Sequence, residues 1–269
     1  MSERDGFYPG VPCWIDTGRP DPEAATKFYG SLFGWTFVGP GEMPGDPPGQ
    51  YFVAQLRTRD VAGVSSLPPG APATPAWNTY IQVANTDETT EKAQSEGGKV
   101  IAEPFDVAPD GRMAVLADRQ GAVFCAWEPR QRKGAQLVNE AGAWAMSALS
   151  TDDPGEASTF YNALFGWSTE TFGSGDDAAR IYRLDGYVGG EPQQPVPRDV
   201  VAVMVTSTEW QGSRWGVNFW VNDADETATN AKRLGGKVVV APYDTAISRD
   251  AVIADAQGAI FSVSRISGP

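Results

Sequence analysis

The chain has 269 residues, of which 41% are apolar and 20% are charged, so it can bury a sizeable core and is unlike a disordered chain. Its net charge of −13 argues against nucleic acid or an anionic membrane surface as a partner, because both are bound through basic surfaces. The chain contains no histidine, so any chemistry must proceed without the commonest general base and metal ligand.

The sequence carries no sign of export or of a disulfide framework. Its two cysteines, Cys13 and Cys125, are too few for such a framework. No apolar run approaches the roughly 18 residues that a membrane span needs. The N-terminus has no basic segment followed by an apolar one, as a signal peptide would. We therefore predict a cytoplasmic protein.

One phrase, FY-x-x-LFGW, occurs at residues 28–35 and again at residues 160–167, about half a chain length apart. Each copy follows an Asp-Pro pair, at residues 21–22 and 153–154. Aspartate is a good helix N-cap, proline fits the first helical position, and glycine ends helices in the left-handed conformation. Each copy therefore predicts an apolar-faced helix that leads into a strand.

The first half predicts the order β-α-β-β-β twice. Strands are expected at residues 11–17, 35–38, 51–56 and 61–65 around the first helix, and a Pro/Ala-rich linker follows at residues 68–75. A strand at residues 77–83, a helix at residues 87–96 and three further strands then repeat the order. The motif GGKV occurs at residues 97–100 and 235–238, and D-x-x-G-x-x-F at residues 118–124 and 255–261. We predict domains at residues 1–128 and 142–269, joined by a linker at residues 129–141.

These motifs, in this order in both halves, resemble the vicinal oxygen chelate superfamily of glyoxalases, bleomycin resistance proteins and extradiol dioxygenases. The tandem form is similar to two-domain glyoxalase-like proteins of actinobacteria. The resemblance covers nearly the whole chain and implies an α+β fold with tandem glyoxalase/bleomycin-resistance-like domains. Each domain would contain two βαβββ units that form a curved mixed sheet around a cleft. The fold alone does not name an activity, because the superfamily hosts unrelated chemistries.

In metal-dependent members of the superfamily, side chains on the inner face of the sheet bind a divalent ion. The resemblance places three such positions in each half, and they are listed here by half: Trp14, Asn78 and Cys125; Met146, Gly216 and Ser262. None of the six is a histidine, aspartate or glutamate, so neither set suits a hard metal ion. We expect no metal and no cofactor, and neither a metal-dependent glyoxalase nor an extradiol dioxygenase.

Alternation along the strands predicts the rest of the inner faces. Asp16 accompanies Trp14, Tyr80 and Gln82 accompany Asn78, Trp127 accompanies Cys125, and Asn218 and Trp220 accompany Gly216. Such a lining suits a flat, ring-bearing organic molecule, on which Trp14 and Trp220 could stack. The alternative for both tryptophans is packing in the core.

Three residues are candidates for catalysis. Asp16 would serve as a general base if burial beside the aromatic wall raised its pKa, with Tyr80 or Glu209 as further participants. Glu209 lies in an extra segment at residues 200–214, predicted either to cover a cleft or to be a solvated loop. Cys125 has no neighbouring base in the sequence, so a buried inert thiol is the alternative to a nucleophile.

The leading hypothesis is a metal-independent binding protein that sequesters or carries an aromatic or polyketide-like compound, as a monomer or homodimer. The alternatives are a metal-independent enzyme of small-molecule or secondary metabolism (a lyase, isomerase or hydroxylase-like protein) and a non-catalytic interaction module.

Overall fold

The computed structural model describes residues 3–43, 46–67, 76–172, 179–189, 197–206 and 213–266. The β-α-β-β-β order occurs four times in them, twice in each half. The elements of the first half are β1 (Pro12–Arg19), α1 (Pro22–Phe33), β2 (Thr36–Met43), β3 (Gly49–Leu56), β4 (Arg59–Ser66), β5 (Trp77–Gln82), α2 (Thr86–Ser95), β6 (Lys99–Val107), β7 (Gly111–Ala117) and β8 (Val123–Pro129). The elements of the second half are β9 (Trp144–Thr151), α3 (Pro154–Phe165), β10 (Ser168–Phe172), β11 (Ala179–Arg183), β12 (Val200–Thr206), β13 (Arg214–Trp220), α4 (Ala224–Arg233), β14 (Lys237–Asp244), β15 (Ser248–Ala254) and β16 (Ile260–Ile266).

Each half forms one mixed sheet of eight strands. The orders are β2-β3-β4-β1-β5-β8-β7-β6 and β10-β11-β12-β9-β13-β16-β15-β14. The two units of a half join where their first strands pair antiparallel, β1 with β5 and β9 with β13. Each first strand also pairs parallel with the last strand of its own unit. The predicted fold class is confirmed, and these central strands carry the candidate site.

The helices that contain the repeated phrase begin and end as the sequence predicts. The Asp21 side chain accepts the backbone N–H of the third residue beyond it, at 2.9 Å, and Pro22 occupies the first turn. Gly34 ends α1 with φ of 73°. Asp153 and Gly166 do the same for α3. None of the four helices in the described part of the chain has the length and apolar character that a membrane crossing needs.

The repeated phrase also joins the two halves. The hydroxyl of Tyr29 on α1 donates to Asp255 Oδ2 at 2.8 Å, and the hydroxyl of Tyr161 on α3 donates to Asp118 Oδ2 at 3.2 Å. Both tyrosines are fully buried. Asp118 and Asp255 open the two D-x-x-G turns, so each helix reaches the turn of the opposite half. Packing between the halves is therefore built from both copies of both motifs.

Two predictions about loops are wrong. Residues 200–206 were expected to belong to an extra segment, but they form β12, which lies between β11 and β9 inside the sheet. Arg214 is the first residue of β13 and so also belongs to the sheet. The first strand after α1 is longer than predicted, because β2 continues to Met43. Glu209 lies outside the described residues.

Candidate ligand-binding site

The inner face of the first sheet consists of rows of side chains that run across neighbouring strands. Trp14, Tyr80 and Cys125 lie level with one another on β1, β5 and β8. In the next row, Asp16 on β1 lies between Gly63 on β4 and Asn78 on β5. Tyr80, rather than Asn78, is thus the β5 residue in line with Trp14 and Cys125.

Asp16 is the centre of a buried hydrogen-bond network on this face. Its Oδ2 accepts from the hydroxyl groups of Tyr80 at 2.7 Å and Tyr51 at 3.3 Å. Its Oδ1 accepts from Asn78 Nδ2 at 2.8 Å. Loss of hydration raises the pKa of Asp16, although these donors act in the opposite direction. Burial also raises the pKa values of Tyr51 and Tyr80 well above their usual range, so both hydroxyls keep their protons and donate.

Large side chains close the first-half inner face. Trp14 is 3% exposed, and its Nε1 donates to the Tyr51 hydroxyl at 2.9 Å. The guanidinium of Arg132 lies 5.5 Å from the centre of the Trp14 ring and pairs with Asp60 and Asp110. Trp127 is also buried, and its Nε1 donates to the Arg132 carbonyl at 3.0 Å. The Trp14 row of the first-half inner face is thus covered by side chains of the chain itself.

Two further residues predicted on this face, Gln82 and Cys125, are buried. Gln82 Nε2 donates to the carbonyl of Phe7 at 2.6 Å. Cys125 is 2% exposed, and burial raises the pKa of its thiol well above the usual range. A protonated, enclosed thiol is a poor nucleophile, as the inert interpretation of Cys125 expects.

The second sheet repeats the rows, with smaller side chains in the row that corresponds to Trp14. Met146, Asn218, Ser262 and Val252 occupy the row that Trp14, Tyr80, Cys125 and Val115 occupy in the first half. Val203, Ala148 and Gly216 occupy the row of Gly63, Asp16 and Asn78. A third row is formed by Trp220, Ser264, Asp250 and Tyr243.

Because the side chains of the Met146 row are smaller than those of the Trp14 row, the second inner face is partly exposed. Several of its residues are partly exposed, and we call the surface lined by the following ones the second-half cleft: Met146, Ala148, Gly216, Asn218, Trp220 and Ser262. Asn218 Nδ2 donates to the hydroxyls of Ser262 at 2.9 Å and Ser264 at 2.8 Å. A cavity of about 50 Å³ lies at the Met146 end, between Trp144 and Val201. The second-half cleft thus combines apolar surface with fixed hydroxyl and amide groups.

Neither inner face offers the ligand set of a divalent metal ion. The described residues contain no group of three or more Cys, Asp or Glu that could hold a metal. The Trp14 row presents an indole and two groups that burial keeps protonated, Tyr80 and Cys125. The Met146 row presents a thioether, an amide and a hydroxyl. These donors do not fit a hard ion, which prefers several carboxylate or imidazole ligands.

The structure thus gathers the predicted first-half residues around Asp16 and the predicted second-half residues around the second-half cleft. Three residues that face these sites were not foreseen: Tyr51, Arg132 and Asp250. Tyr51 lies in a predicted strand, but the alternation of side chains along that strand does not tell which face of the sheet Tyr51 occupies. Asp250 follows from matching the halves, because it occupies the place of Met113.

Two curved mixed sheets, each made of paired βαβββ units, define the vicinal oxygen chelate class of fold. Residues 14–126 match the family model of the glyoxalase/bleomycin resistance protein/dioxygenase superfamily, and residues 146–264 match that of a glyoxalase-like domain. The chain belongs to this superfamily, as its motifs predict.

Relatives cover nearly the full length. The chain is 38% identical over 268 residues to "Putative glyoxylase CFP32" of Mycobacterium tuberculosis, covering 98% of this chain and 97% of that protein. It is 33% identical over 272 residues to the anthracycline biosynthesis protein DnrV of Streptomyces peucetius, covering 96% and 94%.

Solved structures share the fold at low identity. The Mn(II)-bound glyoxalase from Novosphingobium aromaticivorans superposes with a TM-score of 0.63 at 14% identity, covering 96% of this chain and 83% of that one. The 2,3-dioxygenase LapB from Pseudomonas sp. KL28 superposes with a TM-score of 0.60 at 11% identity, covering 97% and 94%.

Proposed function

We propose that the protein binds an aromatic or polyketide-like small molecule in the second-half cleft, without a metal ion, and sequesters or carries it. The observation that carries this proposal is the difference between the two inner faces. In the first, Trp14, Tyr80 and Cys125 are buried, whereas Met146, Asn218 and Ser262 at the matching places of the second are partly exposed. A concave apolar surface with a few fixed polar groups is the usual form of a small-molecule site.

The polar groups and the relatives support the same chemistry. Trp220 offers a ring face for stacking, and Ser262 and Asn218 offer groups that can pair with carbonyl or hydroxyl oxygens of a ligand. The relative DnrV is named for anthracycline biosynthesis, which is consistent with a fused-ring polyketide as the ligand class. The proposal involves no metal ion, because the described lining offers no set of carboxylate or imidazole ligands for one.

Filling the cleft should weaken this binding. Ala148 lies on its floor, so Ala148→Phe would place a ring where the ligand lies, whereas Ala256→Phe adds the same ring at an exposed turn. Titration with 1,4-dihydroxyanthraquinone, followed by tryptophan fluorescence, should give an affinity about tenfold weaker for Ala148→Phe than for Ala256→Phe. Equal affinities in two folded variants would refute the proposed site.

The buried network of Asp16 supports a second candidate, a metal-independent enzyme. A carboxyl group whose pKa is raised, in contact with two tyrosine hydroxyls, is a typical general acid–base arrangement. Under this alternative, Asp16→Asn would abolish conversion of a bound compound and leave its affinity unchanged. Under the binding proposal, product analysis finds the compound unaltered with both the wild-type protein and Asp16→Asn.

A further inference from the structure

The third row of the second inner face contains an aspartate that has no counterpart in the first half. Asp250 on β15 lies level with Ser264 on β16 and with Tyr243 on β14, and Ser264 lies level with Trp220 on β13. In the first half, the place of Asp250 is taken by Met113. The row thus places one carboxyl group between two aromatic side chains.

One carboxylate oxygen of Asp250 has no hydrogen-bond donor among the described residues. Its Oδ1 atom is buried and accepts no hydrogen bond there. The adjacent Arg249 points to the opposite face of β15, where it pairs with Asp225 and Asp244. Asn218 Nδ2, which lies on the same face, already donates to two serines. A buried acceptor without a donor costs stability, so the Oδ1 atom calls for a donor from outside the described residues, and a ligand could supply it.

The surroundings of Asp250 favour a cation over a neutral donor. Tyr243 lies directly across from it, is 44% exposed, and presents an aromatic surface of the kind that attracts cations. Arg214, which lies on the same face of β13, is four residues from Asn218, or about 13 Å along the strand, and so lies too far away to neutralise Asp250. The net charge of −13 further favours the approach of a positively charged ligand.

We propose that Asp250 and Tyr243 form a subsite for a protonated amine, carried by a ligand whose ring system lies along the second-half cleft toward Trp220. Two strand spacings separate Asp250 from Trp220, about 10 Å, which matches the length of a fused system of three rings. The amine donates to Asp250 Oδ1 and lies against the Tyr243 ring. This inference rests on the proposed function, since it assigns one end of the same ligand.

Two probes of equal shape test the subsite. 2-(Aminomethyl)anthracene is protonated near neutral pH, and 2-(hydroxymethyl)anthracene is its neutral analogue. The wild-type protein should bind the amine about tenfold more tightly than the alcohol, as expected for a hydrogen bond to a charged group. Sodium chloride should weaken binding of the amine and leave binding of the alcohol unchanged.

Asp250→Asn should remove the preference, because it keeps the shape of the side chain and removes its charge. Asp244→Asn is the matched control: it changes the net charge equally on the neighbouring strand, and the Asp244 side chain is 78% exposed. Equal wild-type affinities for the two probes, or a preference that persists in Asp250→Asn, would overturn the subsite and leave the proposed function standing. If neither probe binds, both proposals fall.

Discussion

The tight packing around Gly63 on the first-half inner face allows a sharp prediction. A Cβ atom at this position would lie 2.8 Å from Asp16 Cβ and nearer still to the Tyr51 hydroxyl. Gly63→Ala must therefore push the Tyr51 ring away, breaking its hydrogen bonds with Trp14 and Asp16. Two buried hydrogen bonds at about 1 kcal/mol each, with the strain of overpacking, give a loss of about 3 kcal/mol in the free energy of unfolding.

The matched control is Gly216→Ala on the second inner face. A Cβ atom there would meet only the Ala148 carbonyl oxygen, at 3.9 Å. Its free energy of unfolding should stay within about 0.5 kcal/mol of the wild-type value. Urea unfolding, followed by tryptophan fluorescence and circular dichroism, measures both variants. The reasoning is refuted if the two midpoints coincide.

A double variant tests whether the Tyr51 ring is the group that the added methyl group displaces. If the added methyl group acts through the Tyr51 ring, then Gly63→Ala should cost much less in a Tyr51→Ala background than in the wild-type protein. Strictly additive losses would mean that the Tyr51 ring does not fill the space above Gly63.

Further predictions concern the contact between the halves and the buried carboxyl group. Tyr161→Phe should lower the free energy of unfolding by about 2 kcal/mol. Tyr29→Phe should lower it by less, because Arg19 Nε lies 3.1 Å from Asp255 Oδ2 and still pairs with this carboxylate. Urea denaturation that ranks the two variants in the opposite order would contradict this prediction. Because burial raises the pKa of Asp16, the folded protein holds this proton to higher pH than the unfolded chain does. Wild-type stability should therefore fall relative to Asp16→Asn as the pH rises from about 4 toward neutral, and a constant difference in melting temperature would contradict it.

The sequence predicts elements and faces well where the signal is local. The cap at Asp21, the stop at Gly34 and the alternation of Trp14 with Asp16 each depend on a few adjacent residues. The reach of Tyr29 to Asp255 is not local, because it depends on how the second half lies against the first. Each copy of the phrase predicts a helix, but neither indicates the aspartate that its tyrosine meets.

The sequence likewise does not indicate that other parts of the chain cover Trp14 on the first-half inner face. This cover needs Tyr51 from β3 and Arg132 from the segment after β8, which only the folded chain brings to Trp14. The sequence predicts an insertion at residues 200–206 because the match between the halves is lost there. These residues instead form a strand of the sheet. Their pairing with β9 gives the correct assignment. Asp250 was missed for a related reason, since no strand was assigned around it.

The binding stoichiometry for 1,4-dihydroxyanthraquinone, measured by isothermal titration calorimetry, tests the central claim most directly. Since the Met146 row is partly exposed and the Trp14 row is buried, we predict one molecule bound per chain, with an affinity about tenfold weaker in Ala148→Phe and unchanged in Gly63→Ala variants that remain folded. Two molecules bound per chain, or one that Ala148→Phe binds with wild-type affinity, would contradict the account.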